Sequence, residues 1–162
     1  MIVAALSLLP VAAQAHDDTQ EGTMHAKESG EHPRDEGHAR AVGKPGNPTN
    51  VARTVELVMT DEMKFTPARI RVKRGETVRF MVKNAGQVKH EMVIGSMAEL
   101  KAHAEMMRKM PGMEHADPNQ VVLGSGRSGN LVWQFSKSGV LEFACLQPGH
   151  FEAGMKGEIS VK

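Results

Sequence analysis

The sequence predicts an all-β fold, an antiparallel Greek-key sandwich of short strands with one short helix inserted among them. Three observations carry that expectation. Apolar residues alternate at period two in at least six short runs, Gly, Asn and Ser break the runs apart, and a single stretch of helix formers interrupts the pattern. At 162 residues and 17.6 kDa the chain has room for one hydrophobic core and little beyond it.

Taken in chain order, residues 1–15 are apolar from Ile2 to Ala13 and close on Ala13-Gln14-Ala15, the small-x-small pattern that signal peptidase cleaves. We read them as a secretory signal peptide, which places the remaining chain in the periplasm. The run is too short for a membrane span, and no membrane insertion is expected. No basic residue precedes it, so the reading rests on the apolar run and the cleavage pattern. Residues 16–50 contain no apolar run and hold seven acidic against four basic residues, a composition that cannot bury enough surface to order itself. They are expected to form a disordered arm carrying His16, Met24, His25, His32 and His38. These histidines either collect a metal ion weakly or are only solvated.

From Val51 the alternation begins. Val55, Leu57 and Met59 share one face of a strand, as do Ile70 with Val72, and Val78 with Phe80 and Val82. Leu131, Trp133 and Phe135 follow, then Leu141, Phe143 and Cys145, and finally Ile159 and Val161. Turns are signalled at Arg74-Gly75, Asn84-Ala85-Gly86 and Ser138-Gly139. Ser96 to Met110 reads as the inserted helix, with a capping Ser at its start and Pro111 just past its end.

Composition narrows the chemistry. The balance of 20 Lys and Arg against 19 Asp and Glu removes the electrostatic case for a nucleic-acid partner. The segment 51–162 keeps 16 basic and 12 acidic residues, a mild net +4 that suits an acidic protein partner. Twelve Met and eight His, with no Tyr and one Trp, point to soft-metal chemistry. One Cys cannot build a disulfide framework or a Cys-rich zinc site, and a free thiol in an oxidising compartment needs protection, which a metal gives.

That Cys lies in Cys145-x4-His150-x4-Met155, where a thiolate, an imidazole and a thioether can converge on one ion if the loop folds back between two strands. His90, at the start of the run His90-Glu91-Met92-Val93-Ile94-Gly95 just after a turn, is the candidate second imidazole. Two His and one Cys with a long axial Met is the blue-copper ligand set. Taken singly, each residue is better explained blandly: a buried Cys, a surface His, a Met filling the core.

Four pieces in this order, Phe65-Thr66-Pro67 leading to Ile70-Arg71-Val72, Gly75-Glu76-Thr77-Val78-Arg79-Phe80, Asn84 followed by the run from His90, and the Cys145 loop, resemble the cupredoxins, the plastocyanin and azurin superfamily of type 1 copper proteins. The resemblance spans 51–162 and implies a cupredoxin-like Greek-key sandwich binding one type 1 copper ion through His90, Cys145, His150 and Met155. One departure stands out: the residue after the first His is often Asn in the small electron carriers, and here it is Glu91.

The helix adds Met97, His103, Met106, Met107 and Met110, with Met113 and His115 beyond Pro111. His103, Met106, Met107 and Met110 fall on one helical face at i, i+3, i+4 and i+7. The stripe either packs on the sandwich or binds additional Cu(I), and extra Met and His ligands of this kind resemble the cupredoxins of copper tolerance. Two functions are therefore expected in contention, copper handling with one-electron chemistry and soluble electron transfer. Either involves a monomer that meets a redox partner or a copper donor or acceptor protein. No nucleophile with its base, and no persuasive carboxylate pair, supports an enzyme acting on an organic substrate.

Overall fold

A computed structural model describes residues 43–110 and 116–162. Its ten strands are β1 (Lys44–Pro45), β2 (Arg53–Thr60), β3 (Lys64–Thr66), β4 (Arg69–Val72), β5 (Thr77–Asn84), β6 (His90–Gly95), β7 (Gln120–Leu123), β8 (Ser128–Gln134), β9 (Gly139–Ala144) and β10 (Lys156–Val161), with one helix, α1 (Met97–Lys109), between β6 and β7. They form two five-stranded sheets, ordered β1-β8-β5-β2-β3 and β4-β10-β9-β6-β7. The inward faces of the two sheets share one core, in which Leu57, Phe80, Trp133 and Phe135 meet Ile70, Met92, Ile94, Phe143 and Ile159. This is the expected sandwich, with one α-helix among the described residues.

The period-two runs fall where they were read because each strand has one buried and one wetter face, as in β5, where Val78, Phe80 and Val82 are buried. β6 is the exception, buried at all six positions. His90, Met92 and Ile94 take the core side, while Val93 on the other face joins Leu100, Ala104, Ala144 and Leu146 beneath α1. The helix starts on a capping box, Ser96 Oγ accepting from the Glu99 N–H and the Glu99 carboxylate accepting from the Ser96 N–H.

Two features differ from expectation. The sheets are mixed: β2 runs parallel to β5 and β4 parallel to β10, the remaining pairs being antiparallel. Ordered structure also starts earlier than residue 51. Of the arm expected at 16–50, residues 43–50 are described: β1 pairs with β8 through Lys44↔Gln134 and Pro45↔Trp133, and Asn47 caps a 3-10 turn at Pro48–Asn50. These contacts are made by the backbone and by one short polar side chain, so hydropathy does not reveal them. The signal peptide at 1–15 and the histidines of the arm lie outside the described residues.

Gly157 pairs with Phe143 across β9 and β10, and a methyl group there would run into the Phe143 ring edge and stand 2.7 Å from the Ala68 carbonyl oxygen. Gly157→Ala should therefore lower the unfolding free energy by about 1 to 3 kcal/mol, the usual penalty for overpacking, as measured by urea denaturation.

Candidate metal centre

The centre is assembled at one end of the sandwich from β6, the end of β9 and the loop that follows. Cys145 continues the inward face of β9 set by Phe143 and is fully buried. The chain then turns through 146–154 and comes back, Cys145 N–H donating to the Met155 carbonyl at 3.1 Å and Met155 N–H to the His150 carbonyl at 3.0 Å. Gly149 and Gly154, both at positive φ (84° and 92°), supply left-handed turns that side-chain-bearing residues adopt at a cost. His150 is thereby folded back over Cys145.

Three donor atoms converge. Cys145 Sγ lies 3.3 Å from His150 Nδ1 and 3.9 Å from His90 Nδ1, and the three atoms lie within 4.8 Å of one another. The two imidazole centroids are 4.9 Å apart. A first-row ion held at about 2.0 Å by nitrogen and about 2.3 Å by sulfur, with roughly 120° between the bonds, needs S and N separated by about 3.7 Å; the His90 pair lies near that distance and the His150 imidazole would have to move out by a few tenths of an ångström. Met155 is buried in the same core cluster as Cys145. A soft thioether beside a thiol and two imidazoles suits copper, whereas structural zinc takes its fourth ligand from Cys, His or a carboxylate.

The surroundings set the protonation of the set. Burial pushes the Cys145 thiol up to about 12; the N–H groups of Glu91 and Gln147 oppose that rise and the Glu91 charge adds to it. The Glu91 N–H reaches Sγ at 3.4 Å. Burial and then the neighbouring His90 hold the His150 imidazole below its ordinary value, with Asp61 pulling the other way. Without metal the sulfur is thus a neutral thiol at pH 7, and an ion taken up there displaces its proton.

Two carboxylates brace the donors. Glu91 is buried, its Oε1 accepting from Leu146 N–H at 2.9 Å and its Oε2 from the Gln147 amide at 3.2 Å. Asp61, in the turn between β2 and β3, meets His90 Nε2 at 3.0 Å. The Gln87 N–H, and after it His90, hold the Asp61 carboxyl below its ordinary range. Nothing in the sequence singled out Asp61 or Gln147 as a brace of the donors.

The expected helix stripe is divided. Met107 is buried with Leu100 and Ala104 against the sandwich, so it belongs to the packing face. His103, Met106 and Met97 are half-buried and Met110 is exposed. Met113 and His115 lie outside the described residues.

A two-sheet sandwich that gathers a Cys, two His and a buried Met at one end defines a cupredoxin. The match of residues 52–162 to the family model of copper binding proteins of the plastocyanin/azurin type makes the particular assignment: the chain belongs to the plastocyanin/azurin family. It is 48% identical over 161 residues to the copper-resistant cuproprotein CopI of Rubrivivax gelatinosus, covering 99% of this chain and 94% of that one. It is 36% identical over 154 residues to the copper-resistant cuproprotein CopI of Pseudomonas aeruginosa, covering 77% of this chain and 84% of that protein. Among solved structures it is similar in fold to dithionite-reduced auracyanin from Roseiflexus castenholzii, with a TM-score of 0.59 at 23% identity over 69% of this chain and 98% of that one.

The Glu91 bridge gives a direct test in the metal-free protein. Glu91→Ala leaves the Leu146 N–H buried without its acceptor and should cost about 1 to 3 kcal/mol in urea unfolding at pH 7. Glu91→Gln keeps an acceptor oxygen and should lose less than half as much.

Proposed function

We propose that this chain is a periplasmic type 1 copper protein of copper tolerance, in which His90, Cys145 and His150 would hold one ion with Met155 as a fourth ligand. The convergence of Cys145 Sγ with the Nδ1 atoms of both histidines carries the reading. The copper-resistance role is supported by the CopI relatives, which bear that name and align along nearly the whole chain in one case. Copper bound here supplies a one-electron couple between Cu(II) and Cu(I).

The chain's own part is positional. The sandwich keeps the donors of β6 and the 145–155 loop in one arrangement that serves both oxidation states, so little has to move when an electron passes. His150 is half-buried, whereas His90, Cys145 and Met155 are fully buried. His150 is therefore the ligand nearest solvent, set between exposed Pro148 and half-buried Phe151, and it is where a redox partner or a copper donor or acceptor protein would approach. The proposal assigns no organic substrate and a monomer as the working unit.

Titrating the protein with copper while following the visible spectrum should give an intense charge-transfer band that saturates at one equivalent and is missing in Cys145→Ser. A wild type without the band overturns the type 1 reading. Osmotic-shock fractionation should find the chain in the periplasm without residues 1–15.

A second, weaker Cu(I) site is assigned to His103, Met106 and Met110, which share one face of α1; Met97 lies half a turn away from Met106 on the other side of the helix, and Met113 and His115 lie outside the described residues. Met107 is omitted because it packs inward. It is this additional copper that separates tolerance from the alternative role of soluble electron carrier, which needs the single centre alone. Wild type should take up more than one equivalent of Cu(I), and Met106→Leu with Met110→Leu should reduce the excess while leaving the band intact. Binding that stops at one ion would favour the carrier.

A further inference from the structure

Asp61 is placed on His90 by an arrangement that is more than a loop contact. It lies 29 residues upstream, in the hairpin turn 61–63, and its Oδ1 meets His90 Nε2 at 3.0 Å while its Oδ2 accepts from the Gln87 N–H at 2.7 Å. Gly86 gives the carboxylate its room, since a Cβ at that position would collide with Asp61 Oδ1. The same turn holds Met63 at φ 56°, a left-handed conformation that costs a residue with a Cβ about 1 kcal/mol or more, with its side chain packed on the core. Asp61 also holds the 85–89 loop, Val88 N–H reaching its Oδ1 at 3.4 Å, but the loop has a second fastening in buried Asn84, which accepts from the Gly86 N–H at 2.9 Å and donates to the Val88 carbonyl at 2.8 Å.

The chemistry that follows concerns the imidazole. A carboxylate is an acceptor only, so the ring nitrogen facing it carries the proton. His90 is then held as the Nε2–H tautomer, and its Nδ1 lone pair is turned toward Cys145 Sγ, 3.9 Å away, where an ion would sit. A carboxylate on the far nitrogen also makes the imidazole a stronger donor, an effect that favours the more highly charged metal state. We propose that Asp61 is a positioning residue of the centre, fixing the His90 tautomer and biasing the site toward Cu(II) over Cu(I). The second half of this inference rests on the copper reading above; the first half does not need it.

The test uses the full chain, wild type and the Asp61→Asn and Asp61→Ala variants, with the amide spectrum of each confirming the fold. Long-range 15N–1H NMR of the metal-free protein should show His90 protonated at Nε2 alone in wild type, with an Nδ1–H population appearing in both variants. Loaded with copper, Asp61→Asn should keep the charge-transfer band but bind Cu(II) about tenfold more weakly, the low end for loss of such a partner, with Cu(I) affinity unchanged within about twofold. At 59 mV per tenfold for one electron that is a rise in reduction potential of about 60 mV. A wild-type His90 protonated at Nδ1 overturns the proposal, and so do folded variants whose tautomer and potential match wild type, the result expected of a residue that only staples the loop. If wild type gives the Nε2–H tautomer but no charge-transfer band, the copper reading and the Cu(II) bias both fail and the hold on His90 survives.

Discussion

The site end of the molecule depends on the point where one antiparallel ladder stops and a buried carboxylate takes over. β6 and β9 pair as Gly95↔Glu142, Ile94↔Phe143 and Val93↔Ala144. Two residues on, the Leu146 N–H donates to the Glu91 side chain and the Glu91 N–H to the Cys145 sulfur. The strands thus separate by about a side chain's length without leaving these N–H groups unpaired, and the opening is where the donors collect. A buried carboxylate costs several kcal/mol unless its oxygens are paired. Here Leu146 and Gln147 both donate to it, so the bridge is stable only with the 145–147 segment in place. Ladder, bridge and loop fold as one unit.

That bridge also fixes the electrical character of the site. A neutral amide in place of Glu91 would serve the same geometry, but the carboxylate brings a negative charge beside Cys145, and it adds to the burial that keeps the thiol protonated. The field that disfavours a bare thiolate favours a cation next to it. The site is therefore poised so that the anionic sulfur becomes stable when a metal arrives with it, which would protect a free thiol that has no disulfide partner.

The parts of this arrangement that were legible in the sequence are those written at short range. Cys145, His150 and Met155 fall within eleven positions, their spacing survives any error in strand placement, and His90 is marked by the turn before it. The strands β2, β4, β5, β6, β8, β9 and β10 showed because each carries at least two alternating apolar residues. β3 has only Phe65 buried, β1 has no buried residue and β7 alone of its four residues buries Leu123, so none shows a period to detect. Pairing direction was illegible for a different reason: alternation records which face is buried and is the same for parallel and antiparallel neighbours. The helix stripe was only half legible, because sulfur content does not record which face packs: Leu100, Ala104 and Met107 are set by fit to the sandwich and include a small Ala. Asp61 reaches His90 from a different sheet, and no local pattern records such a contact.

The donors also differ in what holds them, and the difference orders their roles. His90 stands on a strand buried at every position, in the middle of the second sheet between β9 and β7. Its ring is fixed by the rigid part of the fold. Cys145 sits at the junction of frame and loop, tied to Met155 by the backbone and to Glu91 through its sulfur. His150 belongs wholly to the loop, is partly open to solvent, and has its backbone N–H on the Gln147 carbonyl within the same loop. Moving the His150 part of the loop outward, with Leu146 and Gln147 left on Glu91, would open the site at less cost than moving His90, which would require breaking the core around Met92 and Ile94. The His150 side is the more accessible approach to the three donor atoms, and the buried side keeps the remaining donors in register.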